Sequence, residues 1–342
     1  MAQRLNHNSL PILSIGALGG TVSMRTTQPG SGAQPVITGE ALLDGISQLH
    51  EGLDVHIETL CLVPSASLDF NLLLEVQIWA QEQVKLGALG IVITQGTDTL
   101  EETAFFLDLL WDADEPLVLT GAMHPNDHPG ADGPANLLDA SRVALDTQSR
   151  KRGVLVVMNG QIHQPLHVRK CSSITLDAFN SPFFGPAGLM LENRVLYLRK
   201  ACARTVLPMP MPRSIHHKVA LLPATLSADT VLLEHVLALG YDALVVSAFG
   251  AGHVSVEWVD LIEQVTTEIP VLVASRTGSG PTAEASYGFI GSEMDLIDRG
   301  ALMCGFLCPY KARILIWLLI GCGHARDIAK YVQRLGFKAA EA

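Results

Sequence analysis

Short apolar runs alternate with longer amphipathic segments along the first half of the chain. The apolar runs are typical of strands that are buried on both faces of a sheet. The amphipathic segments are typical of helices that each cover one face of that sheet. The predicted strands occupy residues 10–15, 55–63, 91–94, 116–120 and 153–158. This alternation predicts an α/β fold with a mostly parallel sheet flanked by helices.

Capping signals mark the starts of the predicted helices. Thr99 precedes Glu102 by three residues, the spacing of a capping box, in which each side chain satisfies a backbone N–H of the first turn. Thr38 and Asp132 are likewise expected to cap helices through their side chains. The helix that starts at Thr38 is predicted to run to about residue 50.

Two segments interrupt the alternation. Residues 22–37 are polar and lack an apolar period, so we interpret them as a mobile loop that acts as a lid at the ligand edge of the sheet. Proline takes alternate positions from Pro208 to Pro212, which makes the chain extended there. We therefore predict a larger N-terminal catalytic domain, a linker and a smaller C-terminal α/β domain. Their predicted bounds are residues 1–200, 201–217 and 218–342.

Composition and charge exclude several classes of protein. The formal net charge of −11 disfavours nucleic acids and anionic membranes as partners. The longest apolar run, residues 314–320, is too short to cross a bilayer, and the polar start of the chain is unlike a signal peptide. The six cysteines lack a framework spacing, which is typical of reduced thiols in a cytoplasmic protein. We expect a cytoplasmic protein without a metal site.

Polar residues that could carry chemistry follow two predicted strands. Gly20 and Thr21 come after the first strand, and Gly96, Thr97 and Asp98 come after the third. Because the carboxyl ends of parallel strands meet at one edge, we expect these residues to lie together. A hydroxyl nucleophile also needs a base to remove its proton. The candidate bases are His124, His128, His163, His167 and Lys170. The alternative is that each of these residues has only a structural role, with Asp98 as a helix cap.

Five stretches of the chain resemble the bacterial-type L-asparaginases, a family of threonine amidohydrolases. They occur in family order and run nearly from end to end of the chain. The G-T-D-T-x-E-E-T block and the D-G-P-x-N-L block are the specific ones. The matching stretches are residues 19–22, 96–103, 119–123 together with 131–137, 154–159 and 309–315.

The resemblance implies a role for each matching residue. Thr21 is implied as the nucleophile that attacks the side-chain amide carbon of L-asparagine. Thr97, Asp98 and Lys170 are implied as a second threonine with its supporting acid and base. The implied substrate contacts are Gly20, Ser65, Gly96, Thr97, Asp98, Ala122 on the oxyanion side and Glu284, which a neighbouring subunit would donate. The resemblance also implies no cofactor, and homodimers or homotetramers with sites at subunit interfaces.

The chain departs from the family pattern at several positions. Leu18 and Ala66 stand where the family often has a threonine and a glutamine, and His253 stands where it often has an asparagine. Residues 22–40 hold no tyrosine, although the family often has one in the lid. These departures leave open how Thr21 is activated.

Three other functions stay open at this point. One is a glutaminase-asparaginase of mixed specificity, since one methylene in a pocket is worth only about 1–3 kcal/mol. Another is the amidase of a tRNA-dependent amidotransferase, which we would expect to carry an extra N-terminal domain. The third is a non-catalytic amino-acid-binding protein on the same fold, because function depends on the site rather than the fold.

Overall fold

The computed structural model describes residues 10–26, 33–35, 38, 52–211 and 216–337. The chain divides into two compact units, Met1–Arg204 and Thr205–Ala342. Each unit contains a sheet with parallel strands, which confirms the predicted two-domain α/β fold. The helix predicted to follow Thr38 lies outside the described residues.

The N-terminal unit is built on one large sheet and two small ladders. Its strands are β1 (Ile12–Ala17), β2 (Met24–Thr26), β3 (Ala33–Pro35), β4 (Asp54–Thr59), β5 (Ala88–Thr94), β6 (Leu117–Thr120), β7 (Val154–Met158), β8 (Gln161–His163), β9 (Arg169–Lys170), β10 (Phe179–Asn180), β11 (Gly188–Leu191) and β12 (Arg194–Tyr197). Its α-helices are α1 (Phe70–Lys85), α2 (Leu100–Asp108) and α3 (Gly133–Leu145). The large sheet has eight strands in the order β12–β11–β8–β7–β6–β5–β1–β4.

The large sheet is parallel from β4 to β7 and antiparallel beyond. Every residue of β6 and β7 is buried, as expected for strands that are covered on both faces. Strands β8, β11 and β12 were not predicted. Asn159 and Gly160, with φ angles of 49° and 71°, form the two-residue turn that reverses the chain from β7 into β8.

One face of the large sheet packs against helix α3. Val92 and Val118 of the sheet and Leu137 and Val143 of the helix belong to one cluster and are almost completely buried. Burial of a side chain of this size stabilises the fold by about 1.5–3 kcal/mol. This core fixes the central strands, and with them the positions of the loops at their carboxyl ends.

Two of the predicted capping side chains make other hydrogen bonds. Helices α2 and α3 do begin after Thr99 and Asp132, but neither side chain caps its helix. Thr99 Oγ1 instead donates to the carbonyl of Ser65 at 3.0 Å, and the Asp132 carboxylate accepts the N–H of Met123 at 3.0 Å. The capping predictions are therefore wrong, because both side chains tie neighbouring loops together.

The segment interpreted as a mobile loop contains regular structure. Strands β2 and β3 pair in antiparallel fashion, which the sequence did not predict. The Asn126 N–H donates to the Met24 carbonyl at 3.3 Å, which joins β2 to the loop after β6. Within the predicted lid, residues 27–32 and 36–37 lie outside the described residues.

The C-terminal unit has a parallel four-stranded sheet in the order β13–β14–β15–β16. Its strands are β13 (Val219–Pro223), β14 (Ala243–Ala248), β15 (Val271–Ser275) and β16 (Leu302–Met303). Its α-helices are α4 (Val231–His235), α5 (Val256–Thr266), α6 (Glu293–Asp298), α7 (Pro309–Gly321) and α8 (Ile328–Gly336). Among the described residues, no helix combines the length and the apolar composition that a membrane span requires.

Candidate active site

The carboxyl ends of four adjacent strands carry most of the candidate residues. Thr21 follows β1, Ser65 follows β4, Thr97 follows β5 and Ala122 follows β6. These strands are neighbours in the order β4–β1–β5–β6. Because the strands are parallel, all four loops leave the sheet at the same edge, which is where ligands bind in open α/β sheets.

Gly20 and Gly96 bring two of these loops into contact. Gly20 has a φ of 79°, a conformation that favours glycine, and a Cβ added there would lie 2.0 Å from the Gly96 nitrogen. A Cβ added to Gly96 would lie 2.7 Å from Ser65 Oγ. Thr21 and Thr97 follow these glycines directly, so they stand on segments whose backbones touch.

Lys170 contacts the two residues that follow Gly96. Its Nζ donates to Thr97 Oγ1 at 2.8 Å and to Asp98 Oδ1 at 2.7 Å. Thr97 is buried, whereas the side chains of Lys170 and Asp98 are 14% and 70% exposed. The three groups therefore form a chain from a buried hydroxyl to a carboxylate in solvent. An amine at this distance in its neutral form can take the proton of Thr97.

Ser65 makes hydrogen bonds with Asp98 and Thr99. Its hydroxyl is buried and accepts the N–H of Asp98 at 3.2 Å. Its carbonyl accepts the Thr99 hydroxyl at 3.0 Å. Since Ser65 Oγ acts as an acceptor in this contact, its own proton is available for an acceptor such as a carboxylate.

The loop that holds Ala122 is fixed by Asp132. The carboxylate of Asp132 accepts the N–H of Met123 at 3.0 Å and the N–H of His124 at 2.9 Å. Ala122 is fully buried beside this contact. A Cβ added to Gly121 would lie 3.2 Å from Thr97 Cγ2, so this loop packs directly on the threonine.

Asn136 connects the same loop to the end of β7. Its Nδ2 donates to the Gly121 carbonyl at 3.0 Å and to Asp132 Oδ2 at 2.9 Å. Its Oδ1 accepts the N–H of Asn159 at 3.0 Å. The D-G-P-x-N-L block thus binds together the ends of β6 and β7. Lys170 lies eleven residues beyond Asn159.

Lys170 also makes a backbone hydrogen bond to Glu101, which was not among the predicted site residues. The Lys170 N–H donates to Glu101 Oε2 at 3.1 Å. Glu101 is buried, with 6% of its surface exposed. The sequence did offer a signal for this residue. Glu101 belongs to the G-T-D-T-x-E-E-T block and follows Asp98 by about one helical turn.

The four candidate histidine bases have described contacts with residues other than the candidate threonines. The rings of His124 and His128 lie 4.6 Å apart in the loop after β6. His163 contacts Ser181 at 2.9 Å, and His167 stacks on Phe184 at 3.7 Å. Of these candidate bases, Lys170 is the one with a described contact to a candidate threonine.

Glu284 and His253 are the residues of the C-terminal unit that the family resemblance singled out. Glu284 is exposed and accepts a hydrogen bond from Gln333 Nε2 at 3.1 Å. His253 Nε2 lies 3.2 Å from Glu293 Oε2. Burial alone would raise the pKa of Glu293, but hydrogen bonds from the backbone, led by the Tyr287 N–H, and from His253 lower it. The part of Glu284 in a neighbour's site stays a prediction.

The chain is similar to known proteins over most of its length. The family model "Asparaginase, N-terminal" matches residues 12–203, and "Glutaminase/Asparaginase C-terminal domain" matches residues 218–332. A "Probable L-asparaginase" of Deinococcus radiodurans is 35% identical over 326 residues, which cover 93% of this chain and 96% of that protein.

Two further relatives are similar to this chain over most of its length. The structure of the "Probable Cytoplasmic L-asparaginase" of Campylobacter jejuni superposes with a TM-score of 0.82 at 27% identity, and the match covers 94% of this chain and 99% of that one. One component of the glutamyl-tRNA(Gln) amidotransferase of Methanosarcina acetivorans is 27% identical over 94% of this chain and 76% of that protein. With both family models matched across the two units, the chain belongs to the bacterial-type L-asparaginase family of amidohydrolases.

Proposed function

We propose that this protein hydrolyses the side-chain amide of L-asparagine to L-aspartate and ammonia. The observation that carries the proposal is the contact of Lys170 Nζ with both Thr97 Oγ1 and Asp98 Oδ1. The amine lies 2.8 Å from a buried hydroxyl, within the distance that proton transfer requires. A catalytic role uses this contact directly, which favours it over the non-catalytic alternative.

The proposed reaction has two steps. The Thr21 hydroxyl adds to the amide carbon, its proton passes to the amide nitrogen, and the C–N bond breaks to release ammonia. Water then adds to the resulting ester and restores the Thr21 hydroxyl as L-aspartate leaves. The Lys170 amine would accept the Thr21 proton through the Thr97 hydroxyl and return it to the leaving nitrogen, and Asp98 would pair with the ammonium form of the lysine. These steps require no metal or cofactor.

The substrate is proposed to lie across the four strand ends. The Ser65 hydroxyl would donate to the α-carboxylate, and Asp98 would bind the α-amino group. The Thr97 N–H and the loop at Ala122 would hold the oxyanion, where fixed donors stabilise the charge of the transition state. Gly20 and Gly96 would allow the backbone to approach the substrate closely.

We also propose that the site is completed by assembly. Homodimers or homotetramers would allow Glu284 of one subunit to reach the site of another, and a cytoplasmic location fits the reduced thiols. Only 17% of the residues are charged, which fits subunit contacts whose buried centres are poor in charged side chains.

Mixed activity on L-glutamine is a second candidate. The C-terminal family description names glutaminase together with asparaginase, and the substrates differ by one methylene. A pocket discriminates against one methylene by about 10–200-fold at most, so a residual glutaminase rate is expected.

The direct test is the rate of ammonia release from L-asparagine and from L-glutamine by the purified protein. The proposal expects one ammonia for each L-aspartate formed, and a higher kcat/KM for L-asparagine. Saturating binding of L-asparagine without any ammonia would contradict it and would favour a binding protein. A higher kcat/KM for L-glutamine would reverse the proposed specificity.

A further inference from the structure

Lys170 stands on a very short piece of regular structure. Strand β9 has two residues and, within the described part of the chain, pairs with β10 alone, where Lys170 lies opposite Phe179. Next to this pair, the Cys171 N–H donates to the Ala178 carbonyl at 2.7 Å. A two-residue ladder restrains a backbone weakly, because ladders gain their stability from several strands and a packed face.

A buried carboxylate adds the missing restraint. The Lys170 N–H donates to Glu101 Oε2 at 3.1 Å, across 69 residues of chain. The acceptor is an oxygen at the end of the side chain, which a glutamine at this position would also supply. Glu101 is 6% exposed, so water competes little for this contact. The backbone of the proposed base is therefore bound to helix α2.

The same short segment also holds the lysine side chain. Thr97 and Asp98 precede α2 and contact Lys170 Nζ, while Glu101 lies in the first turn of α2 and contacts the Lys170 N–H. A carboxylate is favoured in a first turn by the helix dipole. The lysine is thus held at both ends, by its amine and by its backbone, from a single five-residue stretch.

We infer that Glu101 is a positioning residue, which places the Lys170 amine against Thr97 by fixing the Lys170 backbone. The inference rests on the proposed function, since it assigns a part in the same reaction. Glu101 acts through geometry, and its charge is secondary. Loss of the contact should lower kcat with little change in KM, because an error of about 1 Å in a catalytic group can cost about 100-fold.

Three variants separate position from charge. Glu101→Gln keeps an acceptor oxygen at the same reach without the charge, whereas Glu101→Asp keeps the charge but draws the oxygen back by about 1.5 Å, one carbon–carbon bond. We expect kcat for ammonia release from L-asparagine to fall less than about 5-fold in Glu101→Gln. It should fall about 10- to 100-fold in Glu101→Asp and in Glu101→Ala, with KM within about 3-fold.

Asp108 offers a matched control on the same helix. Its carboxylate also accepts a backbone N–H from a distant segment, that of Val154 at 3.0 Å. Asp108→Ala should therefore leave kcat within about 2-fold, because the bond that it removes, from the Val154 N–H, lies away from Lys170. An equal loss of kcat in Asp108→Ala and Glu101→Ala would overturn the inference, since the effect would then be general loss of rigidity.

The order of the two conservative variants decides the outcome even if Glu101→Ala fails to fold. A kcat in Glu101→Asp that equals or exceeds that of Glu101→Gln contradicts a positioning role. The wild-type protein and Lys170→Met are measured in the same assay. Absence of wild-type ammonia release would refute the proposed function. Full activity in Glu101→Asp, with an active wild type and an inactive Lys170→Met, would refute this inference alone.

Discussion

The backbone of Gly20 lies directly against that of Gly96, so that a Cβ added to Gly20 would stand 2.2 Å from the Gly96 Cα. The two glycines end the loops after β1 and β5, which are neighbours in the sheet. Thr21 and Thr97 follow them directly. Under the proposed mechanism, the hydroxyls of Thr21 and Thr97 would act on one substrate because these glycines allow the two loops to touch.

Gly20→Ala should remove this contact. Its φ of 79° strains an alanine by about 1–3 kcal/mol, and the clash with Gly96 adds about 1–3 kcal/mol of overpacking. We expect a large loss of both unfolding free energy and ammonia release. Gly52→Ala is the control, because Gly52 has a φ of 76° and none of the described residues comes within 4 Å of its Cβ position. Equal effects of the two changes on unfolding by urea would show that the contact is unimportant.

Lys170→Met should abolish turnover and leave the fold intact. Methionine keeps the apolar stem, but it offers no amine to Thr97 or Asp98, and a general base contributes about 10²–10⁴-fold. The control is Lys151→Met, because Lys151 is 73% exposed and lies 3.7 Å from Asp114. Initial rates with saturating L-asparagine, together with circular dichroism of both variants, measure the effect. A Lys170→Met protein that keeps a tenth or more of the wild-type rate would rule out the lysine as the base.

Asp108→Asn should change how stability depends on pH. Burial of the Asp108 carboxyl raises its pKa to about 6, although Arg204 and the Val154 N–H oppose the shift. The folded pKa exceeds the ordinary value, so the neutral form is favoured by folding. Its stabilising contribution is complete below about pH 4 and is lost as the pH rises through 6.

The asparagine variant cannot ionise, so it escapes this loss. Its unfolding free energy should equal that of the wild type near pH 4 and exceed it by about 2–3 kcal/mol at pH 7.5. Urea unfolding at both values measures the difference. The surface variant Asp114→Asn serves as the control, since Asp114 is 55% exposed. A constant difference between Asp108→Asn and wild type at both pH values would contradict the assigned pKa.

The sequence predicted the central strands because burial on both faces makes them continuous apolar runs, as in β6 and β7. It missed β11 and β12 because they are short and partly exposed, and because exposed positions such as Leu191 and Leu196 are apolar, so the sequence does not alternate between apolar and polar residues. Their turn is formed by Glu192 and Asn193 with φ angles of 49° and 64°, and it lacks the glycine that usually marks such a turn. The Asn159–Gly160 turn before β8 did carry an Asn-Gly signal, although β8 was not predicted from it.

The sequence predicted the site residues only where strand ends or family motifs marked them. The spacing after β1 and β5 predicted that Gly20 and Gly96 would lie near each other. The hydrogen bond from Lys170 to Glu101 could not be derived, because it joins two segments that are 69 residues apart. Asp132 was expected to cap a helix, and its side chain instead serves the loop after β6, since tertiary contacts can override local capping.

The most direct test of the proposed mechanism is kcat for ammonia release from L-asparagine by Thr21→Ala, compared with the wild type at saturating substrate. The nucleophile assignment predicts a folded variant whose kcat is lower by about 10³-fold or more, because no other group would form the ester. A Thr21→Ala protein that retains most of the wild-type kcat would show that the nucleophile is another residue.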